Sequence, residues 1–268
     1  MGLASTSNDG ALYVENHILR KAATGMGVQL KKIPVNGDRC LAQLVLMGDG
    51  EHRLNPNSIA EIENALDEVE IDASICALVT TNEGKFYSNG LDFDFLRSNP
   101  DKHTHLIVVF QKLLKRILCF PIPTVAAVCG HAVAGGCMIA LAHDYRYMRS
   151  DRGFIMLNEV EIKLPLTPGM NAIIKSKLPV PTYHEAVLTA HRYVGKTAAI
   201  AGIIHGACPD VDSTREAAIK KASELASRNY DRIVYKALKE EMFQWEVQEL
   251  LHGKLDGVQE NLSRASKL

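Results

Sequence analysis

The sequence predicts an α/β protein in which strands and helices alternate first and helices alone follow. Between residues 40 and 156, short apolar runs alternate with segments whose apolar residues recur every three or four positions. From Thr167 onward the periodic segments are almost all helical. This order is typical of an α/β core followed by a helical region.

The bulk composition narrows the class of protein. The chain has 268 residues, of which 47% are apolar and 23% charged, as in an ordinary globular protein with a sizeable core. Its 30 basic and 31 acidic side chains give a net charge of -1, which argues against a nucleic-acid partner. No run approaches the roughly 20 apolar residues of a membrane span. The six scattered cysteines contain no C-x-x-C pair, so we expect free thiols and no metal site.

The first strand–helix–strand unit follows residues 1–37, whose glycines and weak periodicity predict a partly ordered extension. We expect the first strand at Cys40–Met47 and the next at Ile75–Thr81. Between them, Asn55 is predicted to cap a helix whose first residue is Pro56. The apolar face of this helix comprises Ile59, Ile62, Leu66 and Val69.

A second unit repeats the pattern. Its helix ends at the proline-containing run 120–123, and a strand is expected at Thr124–Cys129. Gly135–His143 is predicted to be a short helix, whereas Asp144–Met148 and Gly153–Met156 are strand-like. The helix of this unit has one apolar face, made of Leu106, Val109, Phe110, Leu113, Leu114 and Ile117. The later helices are predicted at Met170–Leu178, Tyr183–Ala190, Ala217–Ser227 and Ile233–Leu251.

These signals divide the chain into four regions. Residues 1–37 form an N-terminal extension, residues 38–200 the α/β core with the active site, and residues 201–265 a C-terminal helical region. The last three residues, Ser266-Lys267-Leu268, match the tripeptide that the peroxisomal import receptor reads at a free C-terminus. We therefore expect a peroxisomal protein with that receptor as a partner.

Two glycine-bearing loops carry the strongest chemical signal. Gly84–Asp92 and Gly130–Met138 each follow an apolar strand directly. Glycine lets the backbone approach a ligand closely, and N–H groups from two such turns can hold one oxyanion. If Gly135 begins a helix, its first-turn N–H groups and the helix dipole would polarise a thioester carbonyl placed there. The alternative is that Gly135 and Gly136 only let the helix and the sheet pack closely.

Three ordered motifs resemble those of the crotonase (enoyl-CoA hydratase/isomerase) superfamily, most of all the plant peroxisomal Δ3,Δ2-enoyl-CoA isomerases. They are Phe86–Asp92, Pro123–Cys137 and Arg152–Glu159, and the likeness covers roughly residues 40–250. The resemblance implies a crotonase (ClpP/crotonase-like) fold of repeated βα units in two sheets. It also implies an acyl-CoA substrate with no separate cofactor, since CoA is part of the substrate. Region 201–265 would then be an oligomerisation region that builds a homotrimer or hexamer.

The resemblance also implies a site. Its oxyanion N–H groups fall on Leu91 and Gly135, and its catalytic carboxylate falls on Glu159. The expected substrate-binding residues are Ser88, Asn89, Gly90, Leu91, Asp92, Gly135, Met138 and Asn158.

Met138 distinguishes between two reactions of this superfamily. In the family's hydratases a second carboxylate lies at the position of Met138, and a thioether cannot transfer a proton. Moving a double bond from C3–C4 to C2–C3 needs one base, which removes a proton at C2 and returns it at C4. The sequence therefore predicts a Δ3,Δ2-enoyl-CoA isomerase of fatty acid β-oxidation, with Glu159 as its base. A base that works near neutrality requires an apolar setting and a raised pKa.

Other carboxylates and Ser88 are weaker candidates. Glu161 is a rival base if residues 159–161 form a strand, because residues two apart then share a face. Asp92 and Asp94 are expected to shape the loop or to cap its helix. Ser88 lacks the G-x-S-x-G context of a nucleophile.

Histidines give no stronger alternative. His143 is expected to cap a helix end instead of forming a dyad with Asp144. His103 and His105 lack a third metal ligand and are expected at a solvated helix start. His131 lies in the second glycine loop, where it is a candidate ligand contact.

Two other functions stay open at this stage. One is another acyl-CoA reaction on the same fold, such as thioester hydrolysis or hydration, and the other is a noncatalytic CoA-binding role. Two departures from the family pattern leave the acyl-chain preference open. Ala134 replaces a glycine common in the hydratases, and Lys163–Pro168 is proline-rich where the acyl tail would pass.

Overall fold

The computed structural model describes residues 17–20, 26–48 and 50–265, and within them it shows the predicted mixture of strands and helices. The strands are β1 (His17–Arg20), β2 (Gly27–Asn36), β3 (Arg39–Met47), β4 (Ile75–Asn82), β5 (Phe86–Ser88), β6 (Thr124–Val128), β7 (His131–Val133), β8 (Tyr145–Arg149), β9 (Ile155–Met156) and β10 (Gly206–Cys208). The first helices are α1 (Pro56–Ile71), α2 (Phe93–Ser98), α3 (His103–Leu118), α4 (Gly135–Ala142) and α5 (Pro168–Lys177). The later helices are α6 (Val180–Thr189), α7 (Gly195–Ile200), α8 (Val211–Ala226), α9 (Arg232–Met242), α10 (Gln244–His252) and α11 (Val258–Ala265). No helix in these ranges is long and apolar enough to cross a membrane.

Seven strands form the main sheet in the order β1-β2-β3-β4-β6-β8-β10. The strands from β3 to β10 run parallel, whereas β1, β2 and β3 pair antiparallel. The central strands are buried on both faces, as parallel strands between helical layers must be. On one face Val125 and Ala127 contact an alanine stripe of α8, and on the other Ala126 and Val128 join the larger core with α1, α3 and α4.

The first long strand precedes the predicted one. β2 lies inside the region expected to be an extension and forms a hairpin with β3 through Gly37, whose φ is +50°. The prediction that the first strand begins at Cys40 is therefore wrong. Asn36-Gly37 is a hairpin turn signal between two apolar segments, and it could have identified β2. Residues 1–16 and 21–25 of the predicted extension, and Ser266-Lys267-Leu268, lie outside the described residues.

Helix α1 begins as predicted. The Asn55 side chain accepts hydrogen bonds from the N–H groups of Asn57 and Ser58, and the Asn55 N–H donates to the Ser58 hydroxyl. The predicted apolar stripe from Ile59 to Val69 is buried against the sheet core.

A repeated β–β–α unit positions the glycine loops. Each of β4, β6 and β8 in the main sheet is followed by a short strand, β5, β7 or β9, and then by a helix. The three short strands form a second parallel sheet, in which Ser88 pairs with Ala132 and Ala132 pairs with Ile155. Because parallel strands end at the same edge of a sheet, the segments that follow β5, β7 and β9 meet there.

The C-terminal region contributes to the core. β10, which was not predicted, pairs with β8 in the main sheet, and α8 packs on that sheet. The predicted helix Ile233–Leu251 is two helices, α9 and α10, separated at Phe243. Since α10 packs against α5 and α3, region 201–265 also supports the residues around the glycine loops.

Gly136 brings the second glycine loop against the first. A Cβ on Gly136 would lie 2.2 Å from the Ser88 carbonyl oxygen, so a larger residue does not fit there. A Cβ on Gly130 would lie 2.4 Å from the Lys85 carbonyl oxygen. Close packing, the simpler explanation of the glycine pair, therefore does hold for Gly136.

We expect Gly136→Ala to lower the free energy of unfolding by about 1–3 kcal/mol or more, because the added methyl group would collide with the backbone of β5. Gly135→Ala is the matched control, since a Cβ there would meet the Phe110 and Leu54 side-chain ends at 3.1 and 3.4 Å. Urea unfolding monitored by circular dichroism measures both. Equal stability of the two variants would contradict this packing.

Candidate active site

Segments following the three short strands line one cavity of about 320 Å³. Six of the residues predicted from the sequence lie on its wall: Asn89, Leu91, Gly135, Met138, Asn158 and Glu159. Asn89 and Leu91 follow β5, Gly135 follows β7, and Glu159 follows β9. The register of the small sheet thus brings together three motifs that are distant in sequence.

The Leu91 N–H is oriented by its pairing with Leu54. The Leu54 N–H donates to the Gly90 carbonyl at 2.8 Å, and the Asp92 N–H donates to the Leu54 carbonyl at 2.9 Å. Leu54 is thus bonded to the residues on either side of Leu91, as in a parallel strand pair. In such a pair the N–H of the middle residue, here Leu91, lies on the side away from the partner. The Leu91 N–H therefore points away from Leu54, while Leu91 itself lies on the cavity wall.

The Gly135 N–H lies beside the first loop. Gly135 is the first residue of α4, and the first N–H groups of a helix have no partner within it. Ala134, which precedes it, makes no side-chain cap to these groups. A Cβ on Gly90, whose φ is +77°, would lie 3.1 Å from the Gly135 nitrogen, so the two loops are in contact. The geometry suits a pair of N–H donors at the amino end of a helix dipole.

A buried arginine and a half-buried lysine hold the carboxyl end of α4. The Arg146 guanidinium donates to the carbonyls of Leu141 at 3.3 Å and His143 at 2.9 Å, and Lys177 Nζ donates to the His143 carbonyl at 3.4 Å. Burial lowers the pKa of Lys177 to about 8. Positive charge at this end complements the helix dipole, so these contacts fix α4 at the end opposite Gly135.

Glu159 is a buried carboxylate on the cavity wall. Its side chain is 7% exposed, and Oε2 has no hydrogen-bond partner among the described residues. Burial raises the pKa of Glu159 to about 7, since desolvation disfavours the charged form. Met138, which is 2% exposed, lies on the same wall. The predicted apolar setting and raised pKa are confirmed.

The rival carboxylates lie elsewhere. Residues 159–163 form a turn, in which the Glu161 N–H donates to the Asn158 carbonyl at 3.0 Å. The prediction that Glu161 shares a strand face with Glu159 is therefore wrong, and the Glu161 side chain is exposed. Asp94 is exposed and pairs with Arg97.

Ser88, Gly90 and Asp92 lie behind the wall and do not form it. The Ser88 hydroxyl donates to the His52 carbonyl at 2.7 Å and accepts from the Gly90 N–H at 3.2 Å. Asp92 caps α2 and accepts from the Asn55 amide at 2.9 Å. These three residues, predicted as substrate contacts, shape the loop that presents Leu91.

The histidines have structural partners. His143 is the C-cap of α4, as predicted, with Nδ1 2.8 Å from the Ile139 carbonyl and Nε2 2.9 Å from the Thr80 hydroxyl, and burial lowers its pKa to about 4. His103 is buried with Nε2 2.8 Å from the Leu96 carbonyl, so the prediction that it lies at a solvated helix start is wrong. His131 lies against the rings of Phe86 and Phe154, away from the cavity wall. In the described ranges no three His, Cys, Asp or Glu side chains are grouped as metal ligands.

Part of the wall was not predicted from the sequence. Arg53 lies on it, and its Nε donates at 2.5 Å to Glu51 Oε2, which also accepts from the Asn89 amide at 3.2 Å. Lys254, Val258 and Leu262 of the C-terminal region also line the cavity. Nothing in the local sequence around these residues signals this role, because it depends on tertiary packing.

The raised pKa of Glu159 predicts a pH-dependent stability. Between the ordinary value of 4.5 and about 7, the folded protein binds a proton that the unfolded chain releases. The free energy of unfolding should therefore fall as pH rises through this window, by up to about 3 kcal/mol. Glu159→Gln should remove this fall, so that the variant gains stability relative to wild type between about pH 5 and about pH 8. Urea unfolding at both pH values measures it, with exposed Glu161→Gln as the control. An equal pH dependence in Glu159→Gln and wild type would contradict the desolvated site.

Comparison with known proteins places these motifs in a family. The sequence profile described as enoyl-CoA hydratase/isomerase matches residues 51–264. Enoyl-CoA delta isomerase 1, peroxisomal, of Arabidopsis thaliana is 37% identical over 202 residues, covering 74% of this chain and 84% of that protein. Enoyl-CoA delta isomerase 3 of the same plant is 33% identical over 207 residues, with 75% and 87% covered.

A solved structure confirms the predicted fold. The apo structure of a Mycobacterium tuberculosis enoyl-CoA isomerase superposes with a TM-score of 0.75 at 26% identity, covering 86% of this chain and 96% of that one. The two-sheet architecture with repeated units is thus the crotonase fold. The motifs, the profile match and this superposition agree, and the chain belongs to the enoyl-CoA hydratase/isomerase family.

Proposed function

We propose that this protein is a Δ3,Δ2-enoyl-CoA isomerase, which moves a cis or trans double bond at C3 of a fatty acyl-CoA thioester to the 2-trans position. The observation that carries the proposal is that the cavity wall has a carboxylate at Glu159 and a thioether at Met138. In the described part of the chain Glu159 is the only buried carboxylate on the cavity wall, and a thioether lies where the family's hydratases have a second acid. The names of the Arabidopsis relatives support the same reaction class.

The geometry suits a one-base mechanism. The thioester oxygen accepts hydrogen bonds from the N–H groups of Leu91 and Gly135, which stabilise the negative charge that develops when a C2 proton leaves. Glu159 takes that proton, and the resulting carboxylic acid returns it at C4. A pKa of about 7 suits both steps, because the group is a base before the first transfer and an acid before the second. The reaction requires no separate cofactor, because CoA is part of the substrate.

Glu159→Gln tests the proposal, because an amide cannot accept the C2 proton. We expect kcat with cis- and trans-3-enoyl-CoA esters to fall about a hundredfold to ten-thousandfold, whereas exposed Glu161→Gln should retain wild-type turnover. The ultraviolet absorbance of the conjugated 2-enoyl thioester measures turnover, and a thiol reagent detects free CoA. Near-normal isomerisation by Glu159→Gln would contradict the proposal, and CoA release by the wild type without an absorbance rise would indicate a hydrolase instead.

We also propose that the reaction takes place in peroxisomes, in the β-oxidation of unsaturated fatty acids. The tripeptide Ser266-Lys267-Leu268 supports this location, as does the peroxisomal name of one Arabidopsis relative. A fluorescent reporter ending in residues 259–268 should enter peroxisomes, and the same reporter ending at residue 265 should stay in the cytosol. Cytosolic fluorescence from both would contradict the proposed address.

Assembly into a homotrimer or hexamer remains part of the proposal. An exposed apolar surface on α9 and the start of α10 supports it, since monomeric proteins rarely expose large contiguous apolar patches. Its exposed side chains are Ile233, Val234, Leu238, Met242 and Trp245.

A further inference from the structure

Two separate segments form the outer part of the cavity wall. The first, which we call the proline segment, comprises residues 159–168 and contributes Ile162, Leu164 and Leu166 to the wall. The second, the C-terminal segment, comprises residues 254–262. It contributes Lys254, Asp256, Val258, Asn261 and Leu262. Neither segment belongs to a sheet, so strand pairing does not fix their positions.

The proline segment is anchored at its end by Thr167. Its hydroxyl accepts from the Met170 N–H at 3.2 Å, which caps α5, and donates to Gln111 Oε1 at 2.5 Å. Pro165 and Pro168 lack N–H groups and cannot donate backbone hydrogen bonds there. The contact with Gln111 therefore ties this end of the segment to α3.

Gln111 also binds the helix that leads into the C-terminal segment. Its Nε2 donates at 2.9 Å to the carbonyl of Leu250, in the last turn of α10, and its side chain is 2% exposed. Both polar atoms of the buried amide are thus satisfied, one from each side. Helix α3 itself contributes Ile107 and Phe110 to the cavity wall.

Close backbone contacts join the helix ends that adjoin the two segments. A Cβ on Gly169 would lie 2.7 Å from the Leu250 Cα, and a Cβ on Gly253 would lie 3.1 Å from the Pro168 Cβ. The start of α5 and the end of α10 are therefore in direct contact, and the Gln111 amide bridges them at the same point.

We propose that Gln111 is a positioning residue for acyl-chain selectivity, which holds the proline segment and the C-terminal segment at a fixed distance across the cavity. The proposal rests on the proposed function to the extent that the ligand is an acyl-CoA. Without the amide, the Thr167 hydroxyl and the Leu250 carbonyl lose their buried partner. We expect the cavity wall to shift until these two groups find other partners or water. A wall that relaxes discriminates less between acyl chains. Glu159 lies eight residues before Thr167, at the other end of the proline segment, and the side-chain hydrogen bonds of Gln111 go to Thr167 and Leu250, so we expect the main effect on KM.

Gln111→Met and Thr167→Val test the clamp, because each removes the hydrogen bond between these residues while keeping similar volume. We expect the ratio of kcat/KM for trans-3-dodecenoyl-CoA and trans-3-hexenoyl-CoA to move toward one by about threefold to tenfold in both variants, through KM. The kcat of Gln111→Met with the hexenoyl ester should stay within about twofold of wild type. Thr167→Ser, which keeps the hydroxyl, should keep the wild-type ratio, as should Lys112→Met, an exposed change on the same helix.

The double variant Gln111→Met/Thr167→Val should change the ratio by less than the two single variants combined, because both single changes remove the same Gln111–Thr167 hydrogen bond. A drop in melting temperature with an unchanged ratio, or equal losses of kcat on both esters, would show a merely structural role and overturn the inference. Thr167→Val gives the same test if Gln111→Met does not fold.

Binding separates this inference from the proposed function. Calorimetric titration with saturated hexanoyl-CoA and dodecanoyl-CoA requires no turnover. A shifted ratio of dissociation constants in Gln111→Met supports the clamp even if the wild type isomerises no 3-enoyl ester. If the wild type isomerises 3-enoyl esters but Gln111→Met changes neither the kcat/KM ratio nor the ratio of dissociation constants, the clamp is overturned and the proposed function is not.

Discussion

The contact between Gly136 and the Ser88 carbonyl is the constraint on which the site depends. It sets the start of α4 against β5 at a distance that only glycine allows. With this contact, the parallel register of β5, β7 and β9 delivers two N–H donors and one carboxylate to one edge of the small sheet. Because the donors are backbone groups, their positions follow from the packing of strands and helix and need little side-chain ordering on substrate binding.

The electrostatics of the site work in opposite directions. Desolvation raises the pKa of Glu159 to about 7, and the buried carboxylate lowers the folding stability once it ionises. The amino end of α4, whose dipole favours negative charge, lies at the same cavity. Stronger hydrogen bonding to Glu159 would stabilise the protein but lower the pKa, and so weaken the base. The site therefore combines a destabilising buried carboxylate with preorganised donors, and Arg146 and Lys177 at the far end of α4 keep that helix in place.

Much of the site could be predicted from sequence because its signals are local. Glycine loops after apolar strands and the Asn55 cap lie within a few residues of the features they produce, and the resemblance assigned Glu159 from the motif that it ends. β10 was not predicted because it has only three residues, and its pairing with β8 alone makes this segment a strand. The clamp of Gln111 was missed because its partners lie 56 and 139 residues away, at Thr167 and Leu250, and no local pattern marks a buried amide that joins them.

The central claim is that one buried base performs both proton transfers. The pH dependence of kcat/KM for a 3-enoyl-CoA ester tests it most directly, since this profile reports the ionisations of the free enzyme. The one-base account predicts a single rise with increasing pH and a midpoint near the pKa of Glu159, about 7. A fall through this region, or a profile without a step near neutrality, would contradict Glu159 as the base.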